Sequence, residues 1–260
     1  MQNKTSLVVL SLGALAAAQS LSDLSQTCQN GITAVTQDAA ANDCLDVSGL
    51  VNIVVADSKT SLVTPINNWL TSFCGAPNCS ADTISAVVAN VTQACASDFE
   101  KLGVTSDQVS VVLPYIQQYF GTAKEILCLA DTTQDQFCFT EYATSLQDAL
   151  GAPLTVETVK GSLDSLELKI PKNATCVECT QGILVKLQST ELAQLVDLKQ
   201  PVADQCGADF AAVTALPSNV IVGTGSNVPK GNKPDGGAAT IAAAGSLSAL
   251  AGVMLAALLA

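Results

Sequence analysis

Cys176-Val-Glu-Cys179 has the spacing of a redox dithiol, two sulfurs close enough in the chain to exchange a disulfide with a substrate. The pairs Asp43/Asp46 and Asp131/Asp135 suggest a different chemistry, because neighbouring carboxylates can share a proton or hold a cation. The rest of the chain completes neither. A dithiol of the thioredoxin type needs a strand-turn-helix setting, which the pattern around 176–179 does not show. Zinc needs a second ligand pair of similar spacing. The calcium-loop word with Gly at its sixth position is absent. Glycoside hydrolysis needs two converging carboxylates beside a sugar, and aromatic residues that could stack on one make up only 4% of the chain. There is no His, so Ser-His-Asp and Cys-His nucleophiles and imidazole ligands are excluded. The eleven basic residues are all Lys and the net charge is −12, which argues against phosphate capture and nucleic-acid binding. No catalytic residue, metal site or cofactor is expected. The carboxylates read as solvated faces, and the single Trp69, beside Leu70 and Phe73, reads as core.

The cysteines then need another role, and the chain ends supply the context. Residues 1–18 place Lys4 before an apolar run from Leu7 to Leu15, followed by Ala16-Ala17-Ala18. That is the grammar of a signal peptide with Gln19 as the mature start. At the other end, small residues at Asp235, Gly236 and Gly237 precede a weakly polar spacer and the uncharged run Leu247–Ala260. This reads as a GPI-attachment propeptide over 236–260, with Asp235 as the attachment residue and Gly236 or Ser226 as alternatives. In a secretory chain, ten cysteines point to disulfides. They are Cys28, Cys44, Cys74, Cys79, Cys95, Cys128, Cys138, Cys176, Cys179 and Cys206. Three sequons, at Asn78, Asn90 and Asn173, lie in the mature part and are expected to carry N-glycans. The 211–235 segment, rich in Pro, Gly, Ser and Asn, reads as a flexible stalk.

The elements that hold the cysteines read as helices, arranged in two series. "CASDF" at 95–99 returns as "CGADF" at 206–210, and each word closes a run of five cysteines that contains one close pair. The expectation is an all-α, disulfide-braced domain built from two diverged five-cysteine repeats, 19–103 and 104–210. Ser80 reads as an N-cap, and Ile84, Val87, Val88, Val91, Cys95, Phe99 and Leu102 form one stripe of a continuous helix. With Ile84 at 0°, Asn90 falls near 240° at about 100° per residue, away from that stripe. Cys79 and Cys95 are then about 24 Å apart and cannot bond. Cys95 must reach Cys28 or Cys44, or a more distant partner. Thr105 and Gln108 have capping-box spacing for a further helix that contains Pro114. Segments 140–150 and 176–199 read as helical with Pro201 as a stop, and 49–56 is strand-like. Five cysteines per series cannot all pair internally, so full oxidation requires an odd number of bridges between the series.

The signal peptide, the words "WLTSFCGAPNCS", "CASDF", "CLADTTQDQFCF" and "NATCVECT", and the C-terminal tail together resemble a family of fungal secreted, often GPI-anchored, cysteine-rich proteins. The resemblance spans Gln19 to Phe210 and implies a location and a fold but no activity. The expected function is that of a non-enzymatic, glycosylated cell-surface or cell-wall protein, held at the membrane by a lipid anchor and available to wall polysaccharide. The alternative is a secreted helical binder of a small apolar ligand such as a lipid or sterol.

Overall fold

The computed structural model describes residues 24–54, 59–101, 106–155, 157–158, 172–191, 193 and 198–229. The signal peptide, Thr105, Asp235, Gly236 and the C-terminal run lie outside them. The described elements in chain order are α1 (Gln26–Gln37), α2 (Ala39–Leu45), α3 (Val47–Val54), α4 (Val63–Gly75), α5 (Ala81–Ala94), α6 (Ala96–Lys101), α7 (Ser106–Leu127), β1 (Leu129–Asp131), β2 (Gln136–Phe137), α8 (Cys138–Leu150), α9 (Lys172–Thr175), α10 (Glu178–Gln188), α11 (Lys199–Cys206), α12 (Ala208–Ala211) and β3 (Val220–Val222), followed by a 3₁₀ turn at Gly225–Asn227. The chain is therefore mostly helical. The expectation of an all-α fold is corrected by the three-stranded antiparallel sheet β2-β1-β3, in which Ala130 pairs with Phe137 and Leu129 with Val222.

Two compact units divide the chain. The first draws on the described residues within 24–54 and 76–120. Its helices start and stop on side-chain hydrogen bonds. Ser25 caps α1 by accepting from the Cys28 N–H, and Asp38 ends α1 and caps α2 by accepting from the Ala41 N–H at 2.8 Å. Asp46 then turns left-handed (φ 47°) and its carboxylate accepts from the Gly49 N–H at 3.1 Å. Asn42 Oδ1 accepts from both the N–H and the hydroxyl of Ser48. These caps force a helix onto the run 47–54, rich in β-branched residues, and the strand-like reading of 49–56 is overturned for 49–54; the rest of that run lies outside the described residues. Gly31 allows α1 and α5 to cross closely, since a Cβ there would lie 2.2 Å from the Ala94 Cβ.

The long helix expected from Ser80 to Leu102 is broken. Ser80 does cap α5, accepting from the Thr83 N–H, with Asp82 in the first turn and Ile84 buried. The helix stops at Cys95 (φ −99°, ψ 11°), and α6 starts again at Ala96. The bridge Cys28–Cys95 and the packing of Phe99 beside it, with Leu24, Ile32 and Val91 around them, account for the turn.

The second unit draws on the described residues within 59–75 and 121–229. Its helix α4 buries Ile66, Trp69, Leu70, Phe73 and Cys74, a spacing of three and four that makes one face. Trp69 is core and stacks on Phe73 at 4.9 Å between centroids. The helix α10 lies against the sheet at Gly182, where an added Cβ would meet Val220 and Leu129. It ends at Gln188, so the helix read over 176–199 is shorter than expected. Pro201 sits in the first turn of α11, where its missing N–H costs no helical bond, rather than at a stop. Part of the expected stalk is also folded. Val220–Val222 forms the third strand, and the Gly223 N–H donates to the Cys128 carbonyl at 2.7 Å. Ser226, a considered attachment residue, lies in the exposed 3₁₀ turn.

Candidate functional site

All ten cysteines are paired within bonding distance: Cys28–Cys95, Cys44–Cys79, Cys74–Cys128, Cys138–Cys179 and Cys176–Cys206. One of the five, Cys74–Cys128, crosses from the first cysteine series to the second, the odd number that parity requires. The spacing that opened the chemical question resolves structurally. Cys176 and Cys179 are not bonded to each other. Cys179 is buried and tied to Cys138, while Cys176, half-buried, is tied to Cys206.

The carboxylates come apart in a similar way. Asp43 and Asp135 are exposed, and Asp46 is a half-buried helix stop. Asp131, expected on a solvated face, is 6% exposed. Its carboxylate accepts from the N–H and hydroxyl of Thr133, both at 2.6 Å, from the Gln134 N–H and from the Asn219 amide at 3.2 Å. Burial works to raise its pKa, but these donors outweigh burial and hold the carboxyl below the usual range. They serve the turn between β1 and β2 and the edge of β3, so Asp131 is occupied in holding the fold.

Three charged groups escaped sequence reasoning. Lys124 in α7 is 2% exposed, with its ammonium 4.9 Å from the centre of the Phe73 ring, and burial lowers its pKa. Glu141, half-buried in the first turn of α8, has an oxygen 3.2 Å from Cys179 Sγ. Burial first, then the charges of Asp131 and Glu178, push its carboxyl up. The disulfide sulfur carries no hydrogen, so this contact is packing rather than a proton path. Next to it the Tyr142 hydroxyl bonds to Thr180, and burial pushes that phenol up. No group of three or more metal-ligating side chains occurs among the described residues.

Asp98 is the third, and it gives the first pentapeptide a structural role. It is 6% exposed and accepts from Ser25 three times, from the N–H at 3.2 Å to each oxygen and from the hydroxyl at 2.5 Å. Lys101 adds a 3.0 Å ion pair. Ser25 in turn caps α1 at Cys28, so the word "CASDF" fastens one helix end by sulfur, carboxylate and ring together. The Ser25 hydroxyl chiefly, then Lys101 and the Ser25 N–H, hold the Asp98 carboxyl below its usual range against the effect of burial. A carboxyl depressed in the fold contributes stability above its unfolded value and loses it as pH falls through the folded one. Asp98→Asn is therefore expected to lower the unfolding free energy at neutral pH by about 2 kcal/mol. The difference from the parent should shrink on acidification, as followed by urea titrations at several pH values. In the second word Asp209 is exposed and Phe210 half-buried, although Cys206 again ends one helix and a short helix again follows.

The expected glycan acceptors all face solvent. Asn78 precedes α5, Asn90 lies on its outer side and Asn173 lies in α9; all three are exposed. A groove of about 160 Å³ is lined by Gln29, Ile32, Thr33, Thr36 and Val51. Ligand pockets typically enclose about 300–1,000 Å³ and are mainly apolar, so this groove does not provide for a lipid or sterol. Comparison with protein-family models, curated proteins and solved structures finds no match for the chain. No described helix is long and apolar enough to cross a membrane.

Proposed function

We propose that the protein is a secreted, N-glycosylated, lipid-anchored module of the cell surface or cell wall, with a structural or interaction role and no catalysis. One observation carries this reading. Asn78, Asn90 and Asn173 all present exposed side chains on a framework in which every cysteine is bridged. Five disulfides are consistent with an extracellular or secreted protein. Of the carboxylates singled out in sequence, Asp131 serves a turn and Asp46 a helix end, while Asp43 and Asp135 are exposed, which favours a non-enzymatic role. The uncharged run behind Asp235, with Gly236 as the next small residue, supports lipid attachment there, and the resemblance to fungal surface proteins agrees with it. One bridge in each series supports a duplicated origin, although the others differ. The second and fourth cysteines of each series pair, Cys44–Cys79 in one and Cys138–Cys179 in the other.

The test is treatment of intact expressing cells with a phosphatidylinositol-specific phospholipase. The protein is expected to move from the cell fraction into the medium. Protein that stays with the cells and is freed only by detergent would contradict the anchor.

A further inference from the structure

Each acceptor asparagine needs the hydroxyl of its sequon, two residues on, and the fold uses all three hydroxyls. Ser80 Oγ accepts from the Thr83 N–H at 3.0 Å as the cap of α5. Thr92 Oγ1 donates to the Val88 carbonyl at 2.7 Å within α5. Thr175 Oγ1 accepts from the Gln205 amide at 2.7 Å, beside the Cys176–Cys206 bridge. Exposure of the asparagine alone does not make these sites open to transfer once the helices have formed, so modification has to precede folding.

The bridges then separate the three sites by the order in which the chain is made. Cys79 is the middle residue of the Asn78 sequon, and its partner Cys44 lies 35 residues upstream. The bridge can close as soon as Cys79 emerges into an oxidising compartment. Cys176 directly follows the Asn173 sequon, but its partner Cys206 lies 30 residues downstream. At 5–20 residues per second that partner arrives roughly 2–6 s later, a free interval for transfer. Cys95, which also pairs upstream, lies five residues beyond Asn90 and outside its sequon.

We propose that disulfide closure between Cys44 and Cys79 competes with glycan transfer to Asn78, leaving that site partly modified while Asn90 and Asn173 are filled. Transfer joins Asn78 Nδ2 to C1 of a lipid-pyrophosphate-linked oligosaccharide. The C1–O bond to pyrophosphate breaks, and the lipid pyrophosphate and the amide proton leave. Closure joins the two Sγ atoms, and their two electrons and two protons reduce a disulfide-bearing oxidant of the secretory pathway to its dithiol. Whichever event comes first hinders the other, because the bridge and the capped Ser80 fix the sequon's backbone.

This inference rests on the secretory reading, and Asn90 reports on that reading separately. Site occupancy is measured by peptide mass spectrometry on the total cellular pool, so that retained variants are counted. In the parent, Asn78 is expected to be partial, with Asn90 and Asn173 near complete. Cys44→Ser should move Asn78 toward complete occupancy. Cys95→Ser, which also disturbs the first unit but spares the Cys44–Cys79 pair, should leave Asn78 partial. Complete occupancy of Asn78 in the parent, or no change on Cys44→Ser, would overturn the proposal. So would an equal rise in Cys95→Ser, which would make the effect one of slowed folding in general. If all three sites are bare, both readings fall, and the bare Asn90 marks the secretory one as the cause.

Discussion

Replacing Cys74 and Cys128 together by alanine is expected to lower the unfolding free energy by about 4 kcal/mol, the chain-entropy value for the loop this bridge closes. Both cysteines are fully buried, so the double variant also loses packing in the core. The bridge joins the face of α4 that carries Trp69 and Phe73 to the residue before β1. Beside it the Lys124 ammonium lies over Phe73, and the Cys128 carbonyl accepts from Gly223. Losing the bridge therefore loosens a charged group held in the core as well as one edge of the sheet. Denaturant unfolding of the purified double variant against the parent measures the loss. A change of less than 1 kcal/mol would mean that the pair is not bonded in the protein, since bridges of this kind typically contribute about 2–4 kcal/mol.

Two neighbouring residues of α5 should respond in opposite ways. Val91 packs on Cys28, Cys95 and Phe99, whereas Asn90 is exposed. Val91→Asp places a carboxylate against that cluster and is expected to cost about 3 kcal/mol or more. With a loss of that size the variant should be retained in the cell rather than exported. Asn90→Gln removes the acceptor and leaves the packing untouched. It should lower the mass by one glycan and leave both export and the unfolding midpoint unchanged. Immunoblots of cell and medium fractions, with and without glycosidase, read both outcomes. Normal export of Val91→Asp would contradict the packing, and an unchanged mass for Asn90→Gln would contradict glycosylation at this site.

Much of this part of the molecule was legible in the sequence because the signals are local. Ser80 before Asp82 and Ile84 is a helix start whose donors and acceptors lie within one turn, and it forms as read. The stripe placed Asn90 outward and Val91 inward, and both residues lie so. The length of a continuous helix ruled out Cys79 as a partner for Cys95 and left Cys28 as one local choice. What stayed hidden depends on distant partners. The break at Cys95 is fixed by a sulfur 67 residues away and by the Ser25–Asp98 hydrogen bonds, neither of which leaves a periodic trace. The strand β1 has three residues, too few to alternate visibly, and it pairs with β3 across about ninety residues of chain. Over Val47–Val54 the apolar run fits a strand or a helix, and the side chains of Asn42 and Asp46 decide for the helix. Pro201 shows the same ambiguity at one residue, since proline ends helices and also opens them. Asp131 resembled a solvated acid because its donors come from the turn that follows and from Asn219, far along the chain.

The intact mass of the protein freed from cells by the phospholipase, after enzymatic removal of N-glycans, tests the central claim most directly. The expected species begins at Gln19 and ends at Asp235, with an ethanolamine-linked anchor remnant. It should be ten hydrogens lighter than the fully reduced chain, one pair for each of the five bridges. A species that still carries the sequence through Ala260, or one that lacks the ten-hydrogen deficit, would contradict the account.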